Sequence, residues 1–168
     1  MRELHTARLT LEPQLAIHAD EMFAVLSDPA IYEFENAPPA SVDTLRARYR
    51  ALESRRSADG GESWLNWIVR LCGGPAIGYV QATVLGAGRA LIAYELHSAH
   101  WRRGYGTEAV SAMIDELRNS YGVTTIAAIF KRANYRSRGL LERLGLRAAS
   151  AATTAGYALE PDEDLYVM

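Results

Sequence analysis

The chain has a single cysteine, Cys72, in 168 residues, which excludes an internal disulfide. Gly73-Gly74-Pro75 follows it, and no His or Asp flanks it in a nucleophile pattern, so Cys72 reads as a turn residue. No apolar run approaches the roughly 20 residues that span a bilayer. The start, Met1-Arg2-Glu3-Leu4-His5, has no apolar export core. The expectation is a soluble, cytoplasmic protein with no membrane partner. An excess of charge of one sign is also missing. The formal net charge is −2, which excludes general nucleic-acid binding. No His, Cys, Asp and Glu cluster has metal-ligand spacing, so no metal is expected. No internal repeat or low-complexity linker interrupts the sequence, and residues 1–168 read as one domain.

What is present is a chain able to build a core, with 49% hydrophobic and 23% charged residues. Arg8 to Glu12 alternates apolar with polar and reads as a strand ending at Pro13. Gln14 to Leu26 places Leu15, Met22, Val25 and Leu26 near one helical face, and Asp28-Pro29 ends it. Ser41 is an N-cap for a second helix running to about Arg56. Trp64–Leu71, Ala76–Leu85 and Ala90–Leu96 read as three consecutive strands, joined by the turns Cys72–Pro75 and Gly86-Ala87-Gly88. The period then changes. Gly106 to Ser120 is helical, Val123 to Phe130 is a buried strand, and Asn134 to Leu144 is a helix ended by Gly145. Leu146–Ala149 and Asp164–Met168 are short strands. This order predicts a mixed α+β sheet flanked by helices.

The strongest chemical signal runs from His97 to Thr107. A strand ends near Leu96, a turn carries Gly104 and Gly106, and a helix begins. Glycines allow close backbone approach and positive φ. The first N–H groups of a helix have no internal acceptors and lie at its positive end, a setting that binds pyrophosphate. Arg102 and Arg103 add charge. The spacing is neither the dinucleotide fingerprint nor a P-loop, because the third glycine and the Gly-Lys-Ser/Thr are absent.

The stretch Ala93-Tyr94-Glu95-Leu96-His97-Ser98-Ala99-His100-Trp101-Arg102-Arg103-Gly104-Tyr105-Gly106-Thr107-Glu108-Ala109-Val110 resembles the coenzyme A-binding segment of the GNAT acetyltransferase superfamily. Trp101 stands where Gln or Arg is usual, as in the RimJ/RimL-like branch. Asn134-x-x-Ser137 followed by Leu141-Glu142-Arg143-Leu144-Gly145-Leu146 resembles that branch's Asn-x-x-Ser and Leu-Glu-x-Leu-Gly-Phe helix. Thr6-Ala7-Arg8-Leu9-Thr10-Leu11 and Asp164-Leu165-Tyr166 resemble its termini. The resemblance implies a mostly antiparallel seven-stranded sheet, splayed between its fourth and fifth strands, with pantetheine in the splay. It implies acetyl-coenzyme A as donor and is compatible with a homodimer, and the charge balance adds the expectation of no nucleic-acid partner. Amides near Leu96 and His97 would face the pantetheine. Arg102, Arg103, Gly104, Tyr105, Gly106 and Thr107 would hold the pyrophosphate, and Asn134 would contact the pantetheine.

Amine acetylation needs a proton acceptor, a polarised thioester and a stabilised leaving sulfur. Ser137, one helical turn after Asn134, is the candidate for the sulfur. The tyrosine acid of many GNAT enzymes is absent, since Leu141 stands there. Glu95 is the candidate base through water, because a carboxylate in an apolar sheet region is costly without a purpose; the alternative is a structural ion pair. His97 and His100 are further candidates near the turn. Glu33, Phe34 and Glu35 lie where the acceptor site borders in this family, so Glu33 and Phe34 are expected to contact substrate, with Trp64 as another wall residue. Trp64 and Trp67 also fit as sheet core. The function implied is transfer of acetyl from acetyl-coenzyme A to a primary amine, on a protein N-terminus or a small molecule, by direct attack in a ternary complex. The alternative is an acetyl-coenzyme A-binding sensor without significant transfer.

Overall fold

A computed structural model describes all residues, 1–168. Strand β1 (Leu4–His5) leads into β2 (Leu9–Pro13), where Leu9 and Leu11 are fully buried and Thr10 and Glu12 point the other way. A short 3₁₀ turn (Ala16–His18) precedes α1 (Ala19–Leu26). A second 3₁₀ turn (Pro29–Tyr32) begins at Asp28, whose carboxylate accepts the Ala30 N–H at 3.0 Å. Helix α2 (Val42–Leu52) starts at Ser41, whose Oγ accepts the Thr44 N–H at 3.1 Å. It stops short of Arg56 because Arg55 adopts φ 59° and Arg56 bridges to Ser63.

Strands β3 (Ser63–Leu71), β4 (Ala76–Leu85) and β5 (Arg89–Leu96) form an antiparallel meander. Helix α3 (Tyr105–Tyr121) follows and closes on Gly122 in the left-handed region. Then come β6 (Thr125–Lys131), α4 (Tyr135–Arg143), β7 (Arg147–Ala148), α5 (Ala151–Thr154) and β8 (Glu163–Val167).

The sheet order is β1-β2-β3-β4-β5-β6-β8-β7, eight strands where seven are expected. The extra one is β1, a two-residue pairing of Leu4 and His5 with Leu11 and Thr10, too short to show alternation. One face packs against α3 and α4 through residues such as Trp67, Val80, Met113 and Leu141. The other lies under α1 and α2, with Met22, Leu45, Tyr49 and Ile68. No helix is long and apolar enough to cross a membrane.

The parallel pair β5–β6 is the feature that makes a site. It holds only from Arg89–Thr125 to Leu91–Ala127. Beyond Leu91 and Ala127 the strands part, while β5 continues to Leu96 and β6 to Lys131. Not counting β1, the opening falls between the fourth and fifth strands.

Candidate active site

The opening between β5 and β6 leads into a cavity of about 400 Å³, roofed by α4 and the start of α3. The β4–β5 ladder sets which backbone groups face it. The His97 N–H donates to the Ile77 carbonyl at 2.9 Å, so His97 is committed to the sheet. Its Nδ1 accepts the Ala99 N–H, and the side chain lies outside the cavity wall. The expectation that its amide faces the opening is corrected. Antiparallel ladders alternate, so Tyr94 and Leu96 turn their N–H groups away from β4, toward the gap. The Leu96 carbonyl is taken by Trp101 Nε1 at 2.7 Å, which folds the indole over the strand end.

The turn after β5 leaves backbone amides without acceptors. Arg102 and Gly104 have positive φ, 58° and 82°. The first helical bond is Glu108 N–H to the Gly104 carbonyl, so the amides of Tyr105, Gly106 and Thr107 have no acceptor within the helix. These residues line the cavity together with Arg102 and Gly104. A Cβ on Gly106 would stand 2.8 Å from Leu140 Cδ1, so glycine there allows α3 to sit against α4. Arg103 lies outside the wall and contributes its carbonyl to Arg8 Nη1 at 2.9 Å. Arg8 also donates to Glu108 at 2.7 Å and lies 4.5 Å over the Tyr105 ring. This brace, from the residue just before β2, was not expected from sequence, because its partners lie about a hundred residues away.

On α4, the Asn134 carboxamide caps the helix by accepting the Ser137 N–H at 3.0 Å, and both residues line the cavity. Ser137 Oγ lies 2.8 Å from the Tyr94 hydroxyl. Burial pushes the Tyr94 phenol up to about 12, against the opposing effects of the Ser137 hydrogen bond and Arg143. It therefore remains a neutral donor at ordinary pH. Leu141 is fully buried in the core.

A second cavity of about 440 Å³ lies under α1 and α2 and shares Glu35, Tyr94, Glu95 and Asn134 with the first. Burial raises the Glu95 carboxyl above its usual range, opposed by the Tyr79 hydroxyl and the Arg48 charge. Glu95 makes no close ion pair, although the Arg48 charge acts on it. Glu35 is also raised by burial, with Lys131 opposing. Glu33 does not reach either cavity. It pairs with Arg136 at 2.7 Å, and the Arg136 guanidinium stacks over Trp101 at 4.6 Å. Phe34 lines the first cavity and meets Tyr135 edge-on. Trp64 is outside both, its Nε1 bonded to Glu62 at 2.9 Å. The wall carboxylate from this loop is thus Glu35, since the turn aims Glu33 outward. His100 lines the first cavity, and burial lowers its imidazole. No three His, Cys, Asp or Glu side chains gather at metal-binding range.

The Acetyltransferase (GNAT) domain family matches residues 8–147. The uncharacterized N-acetyltransferase p20 of Bacillus licheniformis is 30% identical over 155 residues, covering 88% of this chain and 83% of that protein. The structure of RimL, the ribosomal L7/L12 alpha-N-protein acetyltransferase in complex with coenzyme A, has a TM-score of 0.80 at 13% identity, covering 99% of this chain and 97% of that one. Mycobacterium smegmatis RimJ in complex with CoA-disulfide has a TM-score of 0.77 at 19% identity, with 95% and 81% covered. These two likenesses establish the fold. The chain belongs to the GNAT acetyltransferase family. It is by that membership an acetyl-coenzyme A-dependent N-acetyltransferase.

Proposed function

We propose that the enzyme transfers acetyl from acetyl-coenzyme A to a primary amine by direct attack within a ternary complex. One observation carries this reading: the two cavities meet at Tyr94, Glu95 and Asn134. A donor entering from the β5–β6 opening and an amine entering from under α2 would therefore touch at those residues, where positioning alone lowers the barrier.

The opening fits the donor's shape and charge. Unpaired amides from Tyr105 to Thr107, at the positive end of α3, are suited to the pyrophosphate. The Leu96 amide and Asn134 side chain are suited to the pantetheine. When bound, acetyl-coenzyme A supplies the acetyl group as a thioester. The amine nitrogen bonds to the acetyl carbon as the carbon–sulfur bond breaks. Glu95, directly or through water, accepts the amine proton, and its raised affinity for protons suits it to that task. Ser137 Oγ donates toward the leaving sulfur, and the neutral Tyr94 hydroxyl donates to Ser137 in turn. Tyr94 thereby provides a phenol where Leu141 cannot.

Initial rates measured with both substrates varied test the order of events. Intersecting double-reciprocal lines are expected. Parallel lines, with acetyl retained on the protein before amine is added, would overturn direct attack.

A further inference from the structure

The wall of the second cavity holds more polarity than proton transfer needs. Its floor is the sheet face under α1 and α2, where apolar side chains are the rule. Instead, Asn66 on β3 stands opposite Gln81 on β4, and Gln81 stands opposite Ala93 on β5. Gln14, just past β2, extends the row, with its N–H donating to the Asn66 carbonyl at 2.9 Å. Three carboxamides thus lie side by side, and all three line the cavity. Gln14 is 3% exposed and Asn66 4% exposed. Gln14 Nε2 has no hydrogen-bond partner, and the Asn66 and Gln81 side chains make no hydrogen bond within the protein. A buried amide left as Gln14 Nε2 is left costs free energy unless something else satisfies it, while the Asn66 and Gln81 carboxamides line the same cavity without a protein partner.

The charges are divided along the cavity. Its carboxylates, Glu35 and Glu95, belong to the end shared with the donor cavity. Arg48, its one cation, is exposed on α2 and acts on Glu95. No charged side chain lines the carboxamide end; the Arg55 guanidinium behind it donates to the Gln14 carbonyl at 2.7 Å, and no carboxylate lines that end. Neighbouring strands are about 4.8 Å apart, so Asn66 lies roughly 10 Å from the strand carrying Glu95. A ligand filling the cavity would put an ammonium at one end and neutral hydrogen-bonding groups at the other. The volume suits a small molecule. An alkyl tail would leave the amides unpaired, and sites built to hydrogen-bond reject such analogues strongly. A diamine would bring a second charge to a place without a carboxylate.

Resting on the transfer reading above, we propose that the acceptor is a small, non-peptide primary amine whose uncharged tail carries hydroxyl or carboxamide groups read by Gln14, Asn66 and Gln81. The enzyme loaded with coenzyme A is titrated calorimetrically with glucosamine, 4-aminobutanamide, hexylamine, 1,4-diaminobutane, 4-aminobutanoate and trialanine. Thiol release from acetyl-coenzyme A is followed with the same panel. Glucosamine or 4-aminobutanamide should exceed hexylamine by at least about 100-fold in affinity and kcat/KM, and these two arms separate hydroxyl from amide recognition. Asn66→Leu should bring that ratio close to one without weakening coenzyme A binding. Gln81→Leu, at a less buried position, gives the same readout if Asn66→Leu does not fold. Tightest binding by hexylamine, the diamine, the carboxylate or the peptide overturns the proposal, as does an unchanged ratio in the folded variants. Binding of a hydroxyl or amide tail that depends on Asn66, with no acetyl moved, would sink the transfer reading and leave this one standing. Acetylation confined to another amine class would do the reverse.

Discussion

The Tyr94 hydroxyl lies 2.8 Å from Ser137 Oγ, joining the last strand of the meander to the first turn of α4 across 43 positions of sequence. Tyr94 and Glu95 are neighbours on β5, so their side chains leave opposite faces of the strand. On the proposed mechanism, one strand would serve the leaving sulfur with Tyr94 and the incoming amine with Glu95.

If that pair acts as a unit, Ser137→Ala lowers kcat about 100-fold with acetyl-coenzyme A affinity retained. Tyr94→Phe lowers it about tenfold, near the worth of one strong hydrogen bond. The double variant should be no slower than Ser137→Ala alone, because residues acting together are not additive. Single-turnover rates measure all three. Multiplying effects would show that the two residues act separately.

Glu95 gives a pH signature. A carboxyl with a raised pKa takes a proton from the amine only when ionised. Activity should therefore rise with pH through a midpoint above the ordinary 4.5. Glu95→Gln should remove this limb, lower kcat by about 100-fold or more, and leave any limb set by the amine itself. Profiles of kcat against pH for both proteins decide it.

Arg8 braces the turn proposed to hold the pyrophosphate. Arg8→Ala releases the Arg103 carbonyl, Glu108 and the Tyr105 ring together. The Kd for coenzyme A should rise about tenfold, the scale of one charge-assisted hydrogen bond, with little change in the KM for the amine. Calorimetry measures the first and initial rates the second.

The same brace predicts an acid sensitivity. Burial pushes the Glu108 carboxyl up, but hydrogen bonds from Thr6 and Arg8 outweigh it and hold the group below 4.5. A depressed carboxylate contributes stability above its unfolded pKa and loses it as pH falls through the folded one. Glu108→Gln should therefore be less stable near neutrality and lose less on acidification below about pH 4.5. Urea melts across that range measure the difference.

Gly78 sets the position of β5. A Cβ there would overlap the Glu95 carbonyl oxygen and stand 2.7 Å from Leu96 Cα, both backbone atoms. Gly78→Ala should cost about 1–3 kcal/mol and reduce kcat by shifting Glu95. Denaturant melts and rates test it. A fully active, equally stable variant would show that the two strands separate freely.

Much of this arrangement is legible in the sequence because its signals are local. Ser41 caps its helix, Gly104 turns into α3, and the change from strand to helical period at Leu96 marks the turn. The resemblance carried by Trp101 to Thr107 and by Asn134 to Ser137 supplied the splay. The rest depends on contacts distant in sequence. Nothing near Tyr94 indicates that its hydroxyl meets Ser137, and nothing near Arg8 points to Glu108. Which of Glu33 and Glu35 faces the cavity depends on a turn whose Asn36 takes φ 65°, and period alone does not set it. Which amides of β5 face the gap depends on the β4 register, which places His97 with Ile77. The carboxamide row appears only once Gln14, Asn66 and Gln81 are brought together from three segments.

The most direct test uses acetyl-coenzyme A labelled in the acetyl group, mixed with enzyme and a panel of primary amines, with protein, amine and released thiol quantified by mass spectrometry. The account predicts one labelled amide for each thiol released, no label on the protein, and product formation slowed about 100-fold or more in Glu95→Gln. Tight donor binding with no labelled amide from any primary amine would contradict it.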